Sequence, residues 1–514
     1  MEAIWDFNLD DATIHAAVMD HRATSDGLTD ITDQPELEPL PSRREALRVV
    51  QQILDTSRMH WTLITGLSWK KQYGDLVYGY LAGTSILLIN SREAAKDLLI
   101  DRGAQIADRP RMVLMGEIVG WENSPITCKY SHPSYKMYRR MVFGAVGARS
   151  AVDNYSGLAQ HETHRFLRRI LEEPERLLPL IRLYAGAVIL RIVYGYDVNP
   201  NQDYFVDLIQ RSNDEFDRAM TPGAFMVDLI PALRHVPRWF PGTGWMRLAD
   251  SMRQHIHQIL TEPAKGRTTH SSFVSAEFSR PGFDESIHAK NVGWAAMAMY
   301  TAGGDTTSSA NYSFFLAMTA FPEAQAKAQA EIDSVLGLDT LPTWKDAERL
   351  PYVCALVREV MRWAPVAVHG FPHVSTEEIY YNGFFIPKGT ITLPNVWGFT
   401  RDATVYPDPE TFAPERFFGP NPQPNPYEYA FGFGRRACPG QKLAELQMFL
   451  LMASTLATLT IMPKVGADGS TIQPKISWSA RNALWADKWE YDIKARSKNA
   501  EALIRSVHDT PYAT

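Results

Sequence analysis

The stretch Phe431-Gly-Phe-Gly-Arg-Arg-Ala-Cys438-Pro-Gly440 constrains this chain more than any other. It places one cysteine in a glycine-rich loop that runs into a long apolar helix, predicted over Gln441–Thr460. Glycine has no Cβ, so Gly432, Gly434 and Gly440 let backbone come close to something planar and bulky. Pro439 suits the first turn of the helix, which sets the sulfur at its positive end. A thiolate needs that stabilisation to stay deprotonated as a metal ligand. The loop therefore reads as a holder for one thiolate against a flat macrocycle. A lone cysteine ligand on haem iron pushes electron density toward oxygen. A bare Cys-Pro-Gly would read instead as a buried structural cysteine.

The wider pattern separates the two readings. Phe431, Gly434, Arg436, Cys438 and Gly440 reproduce F-x-x-G-x-R-x-C-x-G, and in these residues the chain resembles the cytochrome P450 family. The resemblance implies a mainly α fold with a small β-rich lobe. It would cover residues 44–496, between a polar N-terminal extension (1–43) and a C-terminal tail (497–514). It also implies heme b (iron protoporphyrin IX) with Cys438 as axial thiolate and metal ligand, set among Phe431, Gly432 and Gly440.

Hydrophobic patterning agrees independently. Asp75–Asn90 alternates around Gly83-Thr84, and Tyr380–Pro394 alternates around Asn382-Gly383; both predict hairpins, the second with a type I′ turn. Helical periodicity covers Ala151–Glu173, Leu178–Tyr194, Ile287–Phe321, Pro322–Leu336 and Val353–Trp363. Tyr406–Pro426 is a proline-rich meander. No repeat or low-complexity linker divides the 514 residues, and an apolar share of 45% is ample for a core. A net charge of −6 gives no case for nucleic acid. Cys128, Cys354 and Cys438 are far apart, so neither a disulfide framework nor a zinc site is supported. Met1–Ser42 is acidic and polar, with no membrane-spanning run and no signal peptide. Either the start carries no anchor, or a true first segment is missing from the sequence. The uncharged run Met448–Met462 is too short to span a bilayer and reads as a buried core helix.

Trp294-Ala-Ala-Met-Ala-Met-Tyr-Thr-Ala302-Gly-Gly-Asp305-Thr306-Thr307 is a helix carrying two glycines, an acid and two hydroxyls. Paired glycines cost roughly 1 kcal/mol each relative to alanine in a helix interior. Thr and Asp compete for backbone hydrogen bonds there, so a local opening of the helix is expected. The family resemblance extends to Ala302, Gly303, Asp305, Thr306 and Thr307. It implies that Ala302 sits over the haem, Thr306 hydrogen-bonds oxygen and Asp305 gates protons. Taken alone, the same residues could form a capping loop with Asp305 as N-cap.

Glu359-Val-Met-Arg362 is an E-x-x-R pair, a spacing repeated at Glu45–Arg48, Glu162–Arg165, Glu173–Arg176, Glu215–Arg218 and Glu277–Arg280. Any of these reads by default as an exposed ion pair worth well under about 1 kcal/mol. The resemblance selects Glu359 and implies a buried Glu359–Arg362–Arg416 network. It also implies propionate partners: Arg436, His373 after Pro372, Arg139, and Tyr135, which stands where the family usually has Trp. An ordinary strand-end histidine is the other reading of His373.

Lys136, Arg140, Arg435 and Lys442 form either a docking face for an acidic partner, NADPH-cytochrome P450 reductase, or a solvated face. Tyr73-Gly-Asp75, Ala107-Asp-Arg-Pro110, Val119-Gly-Trp121, Thr163-His-Arg-Phe166 and Leu350-Pro-Tyr-Val353 resemble fungal members of the O-methylsterigmatocystin oxidoreductase type. That likeness implies oxidation of a lipophilic small molecule in secondary metabolism, terpenoid or polyketide. Pocket walls are expected from Arg111–Lys129, from Trp294, Met297 and Ala298, from Val366–Phe371 and from Ser477–Ala483. The segment 222–245 is apolar and aromatic with interspersed basic residues, and reads as a membrane-interface contact or a core-packing lid. Localisation follows as peripheral on the endoplasmic reticulum surface, or cytoplasmic. The leading expectation is a monooxygenase using O2 and NADPH-derived electrons. The alternative is a haem-thiolate isomerase or peroxide-driven oxygenase needing no reductase, against which the intact Asp305–Thr306 pair argues.

Overall fold

The computed structural model describes residues 68 to 512, apart from 82, 222, 266–269, 481–482, 508–509 and 511. The N-terminal extension and Glu45–Arg48 lie outside the described residues. Two layers meet at the site: a helical body and a small β lobe built around one four-stranded sheet.

The lobe follows from the alternating segments. β1 (Leu76–Leu81) and β2 (Thr84–Ile89) form the expected antiparallel hairpin, Leu81 facing Thr84. β3 (His373–Val374) lies near a second hairpin of β4 (Ile379–Tyr381) and β5 (Phe384–Ile386). Asn382 (φ 48°) and Gly383 (φ 81°) turn that hairpin, both left-handed as a type I′ turn requires. β6 (Ile391–Pro394), read from the sequence as part of this hairpin, leaves it. It pairs parallel to β2 and antiparallel to β3, giving the order β1-β2-β6-β3 and carrying His373 to the edge of the helical body.

The helical body contains α1 (Tyr135–Val142), α2 (Ser156–Glu172), α3 (Leu177–Tyr194), α4 (Tyr204–Met220), α5 (Gly244–Lys265), α6 (Glu285–Ala320), α7 (Pro322–Leu336), α8 (Pro351–Trp363) and α9 (Gln441–Thr458). Pro322 and Pro351 open α7 and α8 at the position where a missing N–H costs nothing. Asp203 caps α4, accepting from Phe205 N and Val206 N. Gly195, at φ 68°, ends α3. The predicted helix 151–173 is broken at Tyr155, between a short helix Arg149–Asn154 and α2.

α6 runs 36 residues, about 54 Å at 1.5 Å per residue, and is apolar around most of its girth, so it is buried through the centre against α3 and α9. α3 is long and apolar enough to cross a membrane by composition, but it is largely buried within this core. α9 ends at Thr458, and Leu459–Pro463 continues as β7 beside β10 (Tyr491–Ala495), so the uncharged run is part buried helix and part strand. Residues 498–505, read as part of a tail, form a helix whose Ala500 and Ile504 are buried.

The Glu359 network is present. Glu359 and Arg362 are both fully buried, with Arg362 Nε and Nη2 each 2.8 Å from a carboxylate oxygen. Arg416 Nε donates to the same carboxylate at 3.0 Å, as does the Ala413 N–H at 2.9 Å. Arg362 also donates to the carbonyls of Thr400 and Pro409, tying the meander to α8. Among the other pairs of this spacing, Glu173–Arg176 is solvent-facing as expected, whereas in Glu277–Arg280 only the arginine is exposed and the Glu277 side chain is largely covered. Glu162–Arg165 departs from expectation: it is a buried pair at 2.8 Å, because α2 packs its polar face against neighbours rather than water. Glu215 pairs with His255 instead of Arg218.

Candidate active site

A cavity of about 390 Å³ lies between α6, the loop 431–440 with the start of α9, and the lobe. Cys438, Arg436, His373, Arg139, Tyr135, Phe431, Gly432, Gly440, Ala302, Asp305 and Thr306 all border it. Residues from Tyr135 to Gly440, 305 positions apart in sequence (440 − 135), thus converge on one space, within the size range of sites for drug-sized molecules.

Cys438 is exposed, but its exposed face belongs to the cavity wall. The enclosing protein pushes the thiol pKa up by burial; N–H groups of Gly440 and Gln441, at the start of α9, and the charge of Arg139 pull it down. Burial outweighs the other two, so the free sulfur rests as a thiol and the helix start alone does not ionise it. The glycines divide their roles. At Gly440 an added Cβ would stand 3.8 Å from the sulfur, and at Gly432 (φ 76°) it would meet nothing closer than 3.9 Å. At Gly434 it would collide with the Leu99 carbonyl oxygen, so this glycine serves packing against Leu99–Ile100 and not approach to a macrocycle.

Opposite the sulfur, α6 passes Ala302, Asp305 and Thr306 without interruption. The expected opening at Gly303-Gly304 is absent. Thr306 Oγ1 donates to Ala302 O at 2.7 Å and Ser308 Oγ to Gly304 O at 2.6 Å, so the hydroxyls bond back along an intact helix. Close packing explains the glycines better: a Cβ on Gly303 would lie 3.0 Å from Ile189 of α3. Asp305 borders both this cavity and a second, polar one of about 230 Å³ lined by Gln210, Asp214, Asp487 and Lys488.

The anion-holding end differs from expectation in detail. Arg436 donates to the carbonyls of Ala107 and Cys128, both at 2.8 Å, and its guanidinium lies 4.2 Å from the centre of the Tyr135 ring. The Tyr135 hydroxyl donates to Arg435 O at 2.8 Å. Its single proton is committed there, so Tyr135 serves as a platform for Arg436 rather than as a donor to a carboxylate. His373 Nδ1 donates to Ile106 O at 2.9 Å. Burial and the nearby charge of Arg109 hold its pKa down to about 3, so the neutral ring offers a lone pair at Nε2, not a proton. Arg139 donates to Ala437 O at 2.8 Å and keeps its other N–H groups.

Sequence reading missed Arg109. It is buried, borders the cavity, donates to Pro372 O at 2.6 Å and lies 4.8 Å over the Phe371 ring. Burial and the Arg436 charge hold its pKa down to about 9. It stood in view within Ala107-Asp-Arg-Pro110. Among the described residues neither Arg109 nor Arg436 has a carboxylate within ion-pair distance. Two arginines on this cavity, Arg109 buried and Arg436 half-buried, neither paired with an acid, call for anionic ligand groups. One thiol, two such cations and a largely apolar wall fit a dianionic porphyrin, and no cluster of His, Cys, Asp or Glu among the described residues offers another metal site.

The upper walls also differ from expectation. Trp121, Pro125 and Ile126, the turn residues Val366, Ala367, Gly370 and Phe371, and Ala483 line the cavity as expected. From α6, Ala298 and Met299 do so, whereas Trp294 and Met297 are buried away from it.

Comparison with known proteins agrees with this geometry. The cytochrome P450 family model matches residues 46–485. The chain belongs to the cytochrome P450 family. It is 40% identical to cytochrome P450 monooxygenase 208 of Postia placenta, over 92% of this chain and 93% of that protein. It is 39% identical to cytochrome P450 monooxygenase claR of Ampulloclitocybe clavipes, over 86% and 84%. A zebra fish cytochrome P450 solved with progesterone superposes with a TM-score of 0.70 at 23% identity, covering 84% of this chain and 99% of that one. The chain is thus a cytochrome P450 monooxygenase, an oxidoreductase of a haem-iron family whose members bind lipophilic substrates and draw electrons from a redox partner.

Proposed function

We propose that this monooxygenase binds heme b through Cys438 and oxidises a lipophilic secondary metabolite, terpenoid or polyketide, with electrons passed from NADPH by a cytochrome P450 reductase. One observation carries the reading: the Cys438 sulfur borders the cavity that Asp305 and Thr306 border from the opposite helix. When bound, the haem supplies oxygen activation. The chain's own residues hold it and move protons. Arg109, Arg436 and Arg139 would hold the propionates. Thr306, whose hydroxyl proton rests on the Ala302 carbonyl, keeps lone pairs for a donor within the cavity. Passing protons is the role proposed for Asp305, supported by its bordering both the largely apolar cavity and the polar one.

Lys136, Arg140 and Arg435 are exposed around α1 and the cysteine loop and support docking of an acidic reductase, although Lys442 is already paired with Glu445. Met226, Ile230, Trp239 and Phe240 are exposed, which favours a membrane-interface contact at 222–245 over a core-packing lid. Its arginines bind within the protein, Arg234 to Glu117 and Arg238 to Asp250, so this contact rests on apolar burial rather than on charge. The test is the carbon monoxide spectrum of the reduced holoenzyme. The native chain should give the strongly red-shifted band of thiolate ligation, and Cys438→His should lose it while retaining pigment. A native protein lacking that band overturns the assignment. Turnover with NADPH and reductase, but not with hydrogen peroxide alone, sets the monooxygenase apart from a peroxide-driven enzyme.

A further inference from the structure

α4 crosses the cavity and presents Asn213, Phe216 and Asp217 to it. Phe216 continues an aromatic wall, its ring centre 4.5 Å from that of Trp121 and 6.2 Å from that of Phe371. Asn213 interrupts this apolar surface. Its Nδ2 donates to the Thr301 carbonyl of α6 at 3.3 Å. A carbonyl can only accept, so the amide orientation is fixed and Oδ1 is the atom left to accept. No described residue donates to that oxygen, and Asn213 borders the cavity.

We infer that Asn213 is a specificity-determining residue whose Oδ1 accepts a hydrogen bond from a hydroxyl or N–H group of an otherwise apolar substrate. The inference rests on the cavity being the substrate site of the haem-thiolate enzyme proposed above. In a mostly apolar space, a hydroxyl that enters without an acceptor loses its hydration uncompensated. A ketone at the same position sets oxygen against oxygen, and a hydrocarbon leaves Oδ1 dry. A site with a fixed acceptor therefore ranks an alcohol above the ketone and hydrocarbon of the same skeleton. Asn213 also borders the polar cavity, where water competes for it, so the preference should be modest, about tenfold in Kd.

The holoenzyme is titrated with two matched series, bornane, borneol and camphor, and androstane, androstanol and androstanone. Binding is read from the Soret shift and independently by calorimetry. The alcohol should bind about tenfold tighter than its partners in the series that fits. Asn213→Leu should erase that preference. Asn213→Asp, which cannot donate to the Thr301 carbonyl but still accepts, should retain it. The inference is overturned if the alcohol has no advantage, if no member of either series binds, or if Asn213→Leu keeps the preference. It is equally overturned if Asp and Leu lose it alike, since Asn213 would then only steady α6. Each of these results is read in protein showing the red-shifted carbonyl band; loss of the band itself would count against Cys438 instead.

Discussion

Replacing Glu359 by glutamine tests whether the buried network or the sequence spacing sets the energetics. Glu359 accepts four hydrogen bonds: two from Arg362, one from Arg416 and one from the Ala413 N–H. Both Glu359 and Arg362 have side chains at 0% exposure, so water cannot replace what is lost. Glutamine keeps one accepting oxygen, turns an NH2 toward guanidinium donors, and leaves two buried cations facing no charge. Removing one partner of such a pair costs about 3–5 kcal/mol. That corresponds to roughly two to nearly four orders of magnitude in the ratio of folded to unfolded protein. The control is Glu173→Gln. Its partner Arg176 has the same i,i+3 spacing, but the two side chains are 45% and 39% exposed, and the cost should stay below about 1 kcal/mol. Urea unfolding of the holoenzymes, followed by tryptophan fluorescence and by haem absorbance, measures both. Arg362 also ties α8 to the carbonyls of Thr400 and Pro409, so haem release should accompany unfolding at lower urea in Glu359→Gln. Equal midpoints for the two variants would refute the argument that burial, and not spacing, gives this pair its weight.

Thr306→Ala should leave haem content intact while diverting NADPH consumption to peroxide; unchanged coupling removes Thr306 from proton delivery. Arg109→Leu should weaken haem retention, read as pigment lost to apomyoglobin, by more than Tyr135→Phe, which leaves the Arg436 platform in place. Burial holds the pKa of His369 down to about 4. The unfolded chain takes up that proton near the ordinary 6.5 and the folded one does not, so the stability tied to neutral His369 is complete above pH 6.5 and is lost as pH falls toward 4. His164, also held near 4 by burial, adds to the same slope. His369→Leu should flatten the pH dependence of the urea midpoint in that window, and an unaltered slope would contradict it.

What could be read from sequence divides along a physical line. The hairpin at Asn382-Gly383 was legible because both turn residues need positive φ, a demand that is local to two positions. The helix start at Pro322 was legible for the same reason, whereas α8 opens at Pro351, two residues before the predicted Val353. The departures all depend on what the rest of the chain brings alongside. Gly303 and Gly304 by themselves argue for a broken helix, yet Ile189 of α3 fills the space where a Cβ on Gly303 would go, and tertiary packing keeps α6 straight. Gly434 belongs to the cysteine motif, but its Cβ position is taken by the backbone of Leu99. Glu162–Arg165 and Glu173–Arg176 share a pattern and differ in environment, since nothing in the pattern encodes that the first lies within α2 in the core and the second in the turn that follows α2. Arg109 shows the limit most sharply for the site. Its role arises from burial beside Arg436, a residue 327 positions later (436 − 109), and a lone arginine before a proline carries no sign of that neighbour. The cysteine loop was legible because its chemistry is contiguous: sulfur, proline, glycine and helix start sit within four residues. The arginine-lined end was not, because its two cations meet only in the fold, where Arg436 donates to the carbonyls of Ala107 and Cys128 on either side of Arg109, and Arg109 donates to that of Pro372.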